Sequence, residues 1–356
     1  MALRAFEGLP TEANRREAIV RQEKMAAIGS YQGLPIDEPE SLQDVDVPVP
    51  QLRPRDVLVR VSAVSVNPAD VKIRASLPRS QQPRILGFDA AGVVEAVGAE
   101  VSTLSVGDEV WYAGDDTRPG SNAELEAVDE RIVARKPGSL TFAEAAALPL
   151  TATTAWETLV ERFCLTSGSR GTLLVIGAAG GAGSVMIQLA KELTGVRVLA
   201  SASRPRSRDW VRELGADEVV DHRDLVATVR QAAPEGVDYL FSPYSHGNIE
   251  RYAEIVRPFG HITAIDAPVG LDLRPLVPKS ITWHWEFMFT RTRYQTPDLA
   301  VRKELLMTVA RLVEAKRIRS TLATTIGDFT AAGLREAHRL VESGHTVGKV
   351  VVARQP

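Results

Sequence analysis

With 356 residues, 44% apolar and 24% charged side chains, the sequence has the balance of a globular chain and length enough for two domains. Its net charge of −3 offers no broad basic field for nucleic acid or an anionic membrane. The single cysteine, Cys164, excludes a disulfide within the chain and a multi-cysteine zinc site, and no run of about 18 apolar residues marks a membrane span.

Residues 1–24 read as an appendage, rich in Arg and Glu and without the apolar centre of a signal peptide. A first strand is expected to begin at Met25. From Leu42 to Lys136 the pattern is mainly β: Asp56–Val64 and Ala90–Val97 are rich in β-branched residues, and Gly107-Asp108 precedes Glu109-Val110-Trp111. Short strands with Pro and Gly between them suggest a barrel-like domain. Leu140–Leu165 then turns alanine-rich at helical spacing, with Thr141 as N-cap and Glu144 as its capping-box partner.

The stretch Thr172–Leu193 is the centre of the chain's second half. Leu173–Ile176 is a short apolar run suited to a buried parallel strand, a glycine cluster comes next, and helical spacing begins after it. Such a strand, turn and helix N-terminus aims backbone N–H groups and the helix dipole at an anion, and a dinucleotide pyrophosphate is the expected guest. The fingerprint positions are Ala178, Gly180 and Gly183, with Gly181 and Ala182 between them. A glycine-rich turn without a ligand is the alternative.

Beyond the turn, strand-like runs at Val196–Ala200, Glu218–Val220, Tyr239–Phe241 and His261–Ile265 alternate with helical spacing at Arg206–Leu214, Asp224–Ala233 and Asn248–Val256. That alternation specifies an α/β fold with a doubly wound parallel Rossmann sheet. Ser242 and Asp266, which follow two of these runs, join the cofactor-binding candidates. After Leu276 come the aromatic stretch Trp283–Phe289, a helix around Leu299–Ala315 and a last strand, Lys349–Val352.

NAD sites place an acid about 20 residues past the turn. Here the count reaches Ser203, followed by Arg204, Arg206 and Arg208, with no acid. A hydroxyl beside guanidinium groups suits the extra phosphate of NADP(H). Ser203 and Arg204 are the favoured pair, since Arg206 and Arg208 equally fit a solvated loop and helix start.

Several motifs together resemble the medium-chain dehydrogenase/reductase superfamily, its quinone oxidoreductase branch, and within that the zinc-type alcohol dehydrogenase-like proteins. They are Val66–Asp70, Ile85–Val94, Gly120–Glu124, Ala145–Thr151, the glycine turn and His284–Phe289. The resemblance implies a GroES-like catalytic domain of residues 25–150 and 280–356 around a Rossmann NADP-binding domain of residues 151–279. It also implies a cleft between them, a homodimer formed by edge pairing of the Rossmann sheets, and a contact to the cofactor phosphates at His222, where the family has Tyr. The aromatic stretch resembles a family segment lining the pocket or the dimer edge, though it reads equally as strand core.

Zinc enzymes of the superfamily carry Cys where this chain has Asn67, and Gly-His-Glu where it has Gly87-Phe88-Asp89; the third ligand falls near Leu150 or Thr151. Zinc wants thiolate, imidazole or carboxylate, so no metal is expected. The family motif carries Asn67, Asp70 and Thr154 over as catalytic candidates beside the nicotinamide or substrate. Each has a plain alternative: Asn67-Pro68 is a turn signal, Asp70 caps a helix, and Thr154 sits within one. The expected activity is metal-free hydride transfer from NADPH to a small electrophile, a quinone or α,β-unsaturated carbonyl, in the cytoplasm. A zinc-dependent alcohol dehydrogenase and a non-catalytic NADPH-binding protein are the competing readings.

Overall fold

The computed structural model describes residues 23–354, so the expected appendage lies almost wholly outside the described residues. Three sheets form among them. In the smallest, Lys24–Ser30 runs antiparallel to Gln43–Pro48 on one side and Arg84–Ile85 on the other. The expected start at Met25 is met within one residue.

The seven-stranded sheet is built on Asp56–Val66, which pairs antiparallel with Asp89–Val97, Leu125–Asp129 and Lys349–Ala353. Val57, Val59, Val61 and Val64 meet Val350 and Val352 in one buried cluster. Each such side chain, fully buried, contributes about 1.5–3 kcal/mol. The C-terminal strand therefore returns to the β-rich region, with Val350 opposite Val66.

The six-stranded sheet is parallel throughout, in the order Glu218–Val220, Arg197–Ser201, Thr172–Val175, Val237–Ser242, Val256–Ala264 and Thr282–Trp285. Numbered along the chain this is 3-2-1-4-5-6, the doubly wound order whose switch point lies beside the first strand. Leu173, Leu174 and Val175 are fully buried, as strands covered on both faces must be.

The pairing of the last parallel strand bears on one expected boundary. The expected domain boundary at 279/280 cuts off Thr282–Trp285, which pairs in parallel with Val256–Ala264 and completes the six-stranded sheet. Of the two readings of the aromatic stretch, strand applies to its first part alone. Only Thr282–Trp285 is strand, at the sheet edge with Trp285 47% exposed, while Met288 and Phe289 turn inward.

The capping box at Thr141 forms as expected: Glu144 N–H donates to Thr141 Oγ1 at 3.2 Å, and Thr141 N–H to Glu144 Oε2 at 2.9 Å. The helix Pro149–Trp156 continues into a π-helical turn, Glu157–Arg162, which no sequence feature announced. No helix among the described residues is long and apolar enough to cross a membrane.

Candidate active site

The glycine turn lies at the C-terminal end of the first parallel strand. Gly177 adopts φ +66°, and its N–H is held by Ser201 Oγ at 3.0 Å from the neighbouring strand. Gly180 caps the helix Gly181–Leu193. Ser184 N–H bonds back to Gly180 O at 2.9 Å, so the N–H groups of Gly181, Ala182 and Gly183 precede the first closed turn and point outward for an anion. A Cβ on Gly183 would lie 2.6 Å from Ala178 Cα and 2.6 Å from Gly177 O. Close strand-to-helix packing therefore requires glycine there, and the buried Ala178 fits at the first fingerprint position.

Ser203 and Arg204 follow the adjacent strand, at the same end of the sheet. Ser203 is half-buried, and Arg204 is exposed with only a 3.5 Å contact to His345 O. Arg208 is instead tied to Ala202 O at 3.2 Å, and Arg206 faces solvent. His222 is exposed one strand further out. Ser242 and Asp266 stand on strand ends, but their polar atoms hold the loop between them. Ser242 Oγ meets Tyr252 Oη at 2.8 Å and accepts from Tyr244 N–H at 3.0 Å. Asp266 accepts from Ser245 N–H at 2.7 Å and Ser245 Oγ at 2.6 Å. They hold the loop beside the turn, and each Asp266 oxygen keeps acceptor capacity beyond the one bond it makes.

Against the turn, through Lys349, lies a buried polar network. Asn67 begins the helix Pro68–Ala75, and its N–H donates to Asp70 Oδ2 at 2.8 Å; Gly87 N–H donates to Asp70 Oδ1 at 3.1 Å. Asp70 is thus both the helix cap and a brace for the segment Gly87-Phe88-Asp89. Asp89 Oδ1 accepts from Leu150 N–H at 3.1 Å, and its Oδ2 faces Asn67 Nδ2 at 3.3 Å and Lys349 Nζ at 3.1 Å. Lys349 also donates to Asn67 Oδ1 and, at 3.3 Å, to Val66 O. Burial pushes the Asp70 carboxyl up to about 7 and that of Asp89 up to about 6, against the opposing pull of Lys349.

Asn67 Nδ2 is committed to Ser65 O at 3.2 Å and to Asp89, so donation to a substrate oxygen requires one of these bonds to be given up. Thr151 and Thr153 turn their hydroxyls onto Leu148 O and Pro149 O, at 3.0 and 2.8 Å. Thr154, also buried, shows no such tie among the described residues and keeps its hydroxyl available. Beside this network Leu86, Phe88, Leu150, Met288 and Phe289 form an apolar cluster, with Phe88 edge-on to Phe289 at 5.1 Å between ring centroids.

Sequence reasoning missed Lys349. The signal was present as a lone charge between Gly348 and three valines, at a strand start where a cation has no water.

Known proteins share this chain's family and fold. Residues 53–156 match the alcohol dehydrogenase GroES-like domain and residues 214–352 the zinc-binding dehydrogenase family. A zinc-type alcohol dehydrogenase-like protein of Staphylococcus aureus (strain MSSA476) is 39% identical over 307 residues, covering 83% of this chain and 90% of that protein. The chain belongs to the medium-chain dehydrogenase/reductase superfamily. It is an oxidoreductase of that superfamily, with the GroES-like and Rossmann-type parts its sequence implied. An NADPH-dependent alkenal/one oxidoreductase of Arabidopsis thaliana is 30% identical over 347 residues, covering 94% of this chain and 80% of that protein. A candidate zinc-dependent alcohol dehydrogenase from Rhizobium etli CFN 42 superposes with a TM-score of 0.89 at 42% identity, over 94% of this chain and 99% of that one.

The zinc in these names does not fit the donors present. The ligand positions hold an amide, a phenyl ring, a carboxylate already bonded to Lys349, and Leu150 or Thr151. A set without thiolate or imidazole, closed around an ammonium, lacks the chemistry of a zinc site.

Proposed function

We propose that this oxidoreductase reduces α,β-unsaturated carbonyls or quinones with hydride from NADPH, without a metal. The observation that carries the reading is the buried Asn67, Asp89 and Lys349 network standing at the positions of the metal ligands. Alcohol oxidation needs an electrophile to stabilise alkoxide, and the cation of this wall, Lys349, is already engaged by Asn67, Val66 and Asp89. Reduction of an enone or quinone places charge on a conjugated oxygen, where delocalisation and a few hydrogen-bond donors suffice.

When bound, NADPH supplies the hydride. The N–H groups of Gly181, Ala182 and Gly183 hold the pyrophosphate, and Ser203 with Arg204 holds the 2′-phosphate by charge-assisted hydrogen bonds. Thr154 orients the carboxamide. Phe88, Leu150, Met288 and Phe289 keep the acceptor dry. The enone reductase among the relatives supports this substrate class. We also take the chain to be a homodimer, because the unpaired edge of Thr282–Trp285 presents an exposed indole for a second copy.

The test is NADPH oxidation by simple enones and quinones in the presence of EDTA. Turnover of an alcohol that depends strictly on zinc overturns the reading in favour of a zinc dehydrogenase. NADPH binding without turnover of any electrophile overturns it in favour of a non-catalytic binder.

A further inference from the structure

Lys349 is 4% exposed; its ammonium donates to Asn67 Oδ1 and Val66 O and forms an ion pair with Asp89 Oδ2 at 3.1 Å. A buried ion pair is poor value as mere glue, since desolvating both charges cancels most of their attraction. Its location is more telling. A Cβ on Gly181 of the cofactor turn would come within 2.6 Å of Lys349 Cδ and 3.1 Å of Thr151 Cγ2. The preceding residue, Gly348, donates its N–H to Ala179 O of the same turn at 2.8 Å. The lysine stem thus lies under the turn, while its ammonium reaches Asn67 and Asp89 in the buried network. One side chain spans from the pyrophosphate cradle to the catalytic candidates.

We infer that Lys349 is a positioning residue for hydride transfer: its ammonium is the resident cation of the cleft and locks Asn67 and Asp89 in register with the glycine turn. The inference rests on the metal-free reading above. It assigns the lysine two tasks. The charge compensates Asp89 where a second cation is then repelled, and the anchored stem sets the spacing between cofactor and acceptor, on which hydride transfer depends steeply.

Lys349→Met keeps the stem and removes the charge. Its kcat is expected to fall about 100-fold, the scale of a 1 Å misplacement, with the NADPH dissociation constant, read by fluorescence, unchanged. Its melting temperature is expected to drop as well, because Asp89 loses its partner. Adding Asp89→Asn removes the stranded charge and is expected to restore the melting temperature while kcat stays low. Restoration of both overturns the inference, because the lysine then serves only to neutralise Asp89. In Lys349→Ala, ethylammonium is expected to recover turnover and ethanol to recover none; equal recovery by both overturns the role of the charge. Metal analysis after dialysis against zinc reads the inference apart from turnover. A wild-type chain that retains no zinc supports it whatever the substrate, and one zinc per chain overturns it. Loss of the enone and quinone activity alone overturns only the substrate reading.

Discussion

The glycine turn and the Lys349 cluster meet at Gly181, yet they are built by opposite means. The turn is backbone: its working groups are N–H donors, its key side chains are absent, and a contiguous stretch of sequence makes it. The cluster is held by the side chains of Asn67, Asp70, Asp89 and Lys349, with backbone partners at Val66 and Leu150, and its members are separated by up to most of the chain. The turn asks only for small residues where backbone or phosphate comes close, Gly183 above all. The cluster has one arrangement in which every donor and acceptor is satisfied, so a change at one member strands another. The turn binds by leaving groups unsatisfied, and the cluster holds by leaving almost none.

That contrast predicts different failures. The largest effect is expected at Asp89→Leu, which strands the Lys349 ammonium in a dry site; loss of one partner of a buried pair costs about 3–5 kcal/mol. Chemical denaturation measures it, and a loss under about 1 kcal/mol, the scale of an exposed pair, removes the claim that the cluster is dry. Next is Gly183→Ala, whose new methyl strikes backbone at Ala178 and Gly177, atoms that cannot swing aside. About 1–3 kcal/mol of stability and a large part of NADPH affinity are expected to go together. Gly180→Ala sharpens the point: its Cβ meets only Gly177 O, at 3.3 Å, so stability is expected to hold while NADPH binding weakens.

Arg204→Glu is expected to spare stability and to touch one cofactor only. It exchanges one exposed charge, and about 1.5–3 kcal/mol of a charged hydrogen bond is at stake. NADPH affinity is expected to fall roughly 10- to 100-fold and NADH affinity hardly at all. Equal losses for the two cofactors refute the phosphate role.

The same contrast explains what the sequence made legible. The parallel sheet, the turn, the capping box at Thr141 and the return of the last strand all follow from local pattern or from one apolar run seeking a partner. The edge strand Thr282–Trp285 is hard to place from sequence because Pro275 and Pro278 interrupt the rhythm of strand and helix just before it, and four residues are too few to restore it. Lys349 stayed hidden for another reason. Its meaning depends on the pairing of Val350 with Val66, which sets the lysine beside Asn67, and that register is a property of the folded sheet. Asn67 and Asp70 were found as candidates, but their hydrogen bonds could be read only once Gly87 and Asp89 had been brought against them.

The subtlest prediction concerns pH. Asp70 is held up to about 7 and Asp89 up to about 6, chiefly by burial. A carboxyl whose folded value lies above its unfolded value binds its proton more tightly in the native state. Below the unfolded value, near 3.9, both states are protonated and the group is neutral toward stability. As pH rises from there to about 7 the unfolded chain releases the proton first, so Asp70 subtracts stability progressively across that window and by a constant amount above it. His338 works in the opposite direction. It is fully buried with neither ring nitrogen bonded among the described residues, and burial, with Arg74 nearby, lowers it to about 3. Its cost therefore appears as pH falls below about 6.5, and the two groups partly cancel in the wild type. Asp70→Asn removes one side of that balance. Relative to wild type, the variant is expected to gain stability steadily between pH 4 and pH 7, against a constant loss from the weaker cap at Asn67. His338→Leu is expected to show its gain at pH 4 to 5 and to lose it by pH 7.5. Denaturation midpoints across this range decide between them, and a pH-independent difference for Asp70→Asn means that the Asn67, Asp70 and Asp89 wall is wet.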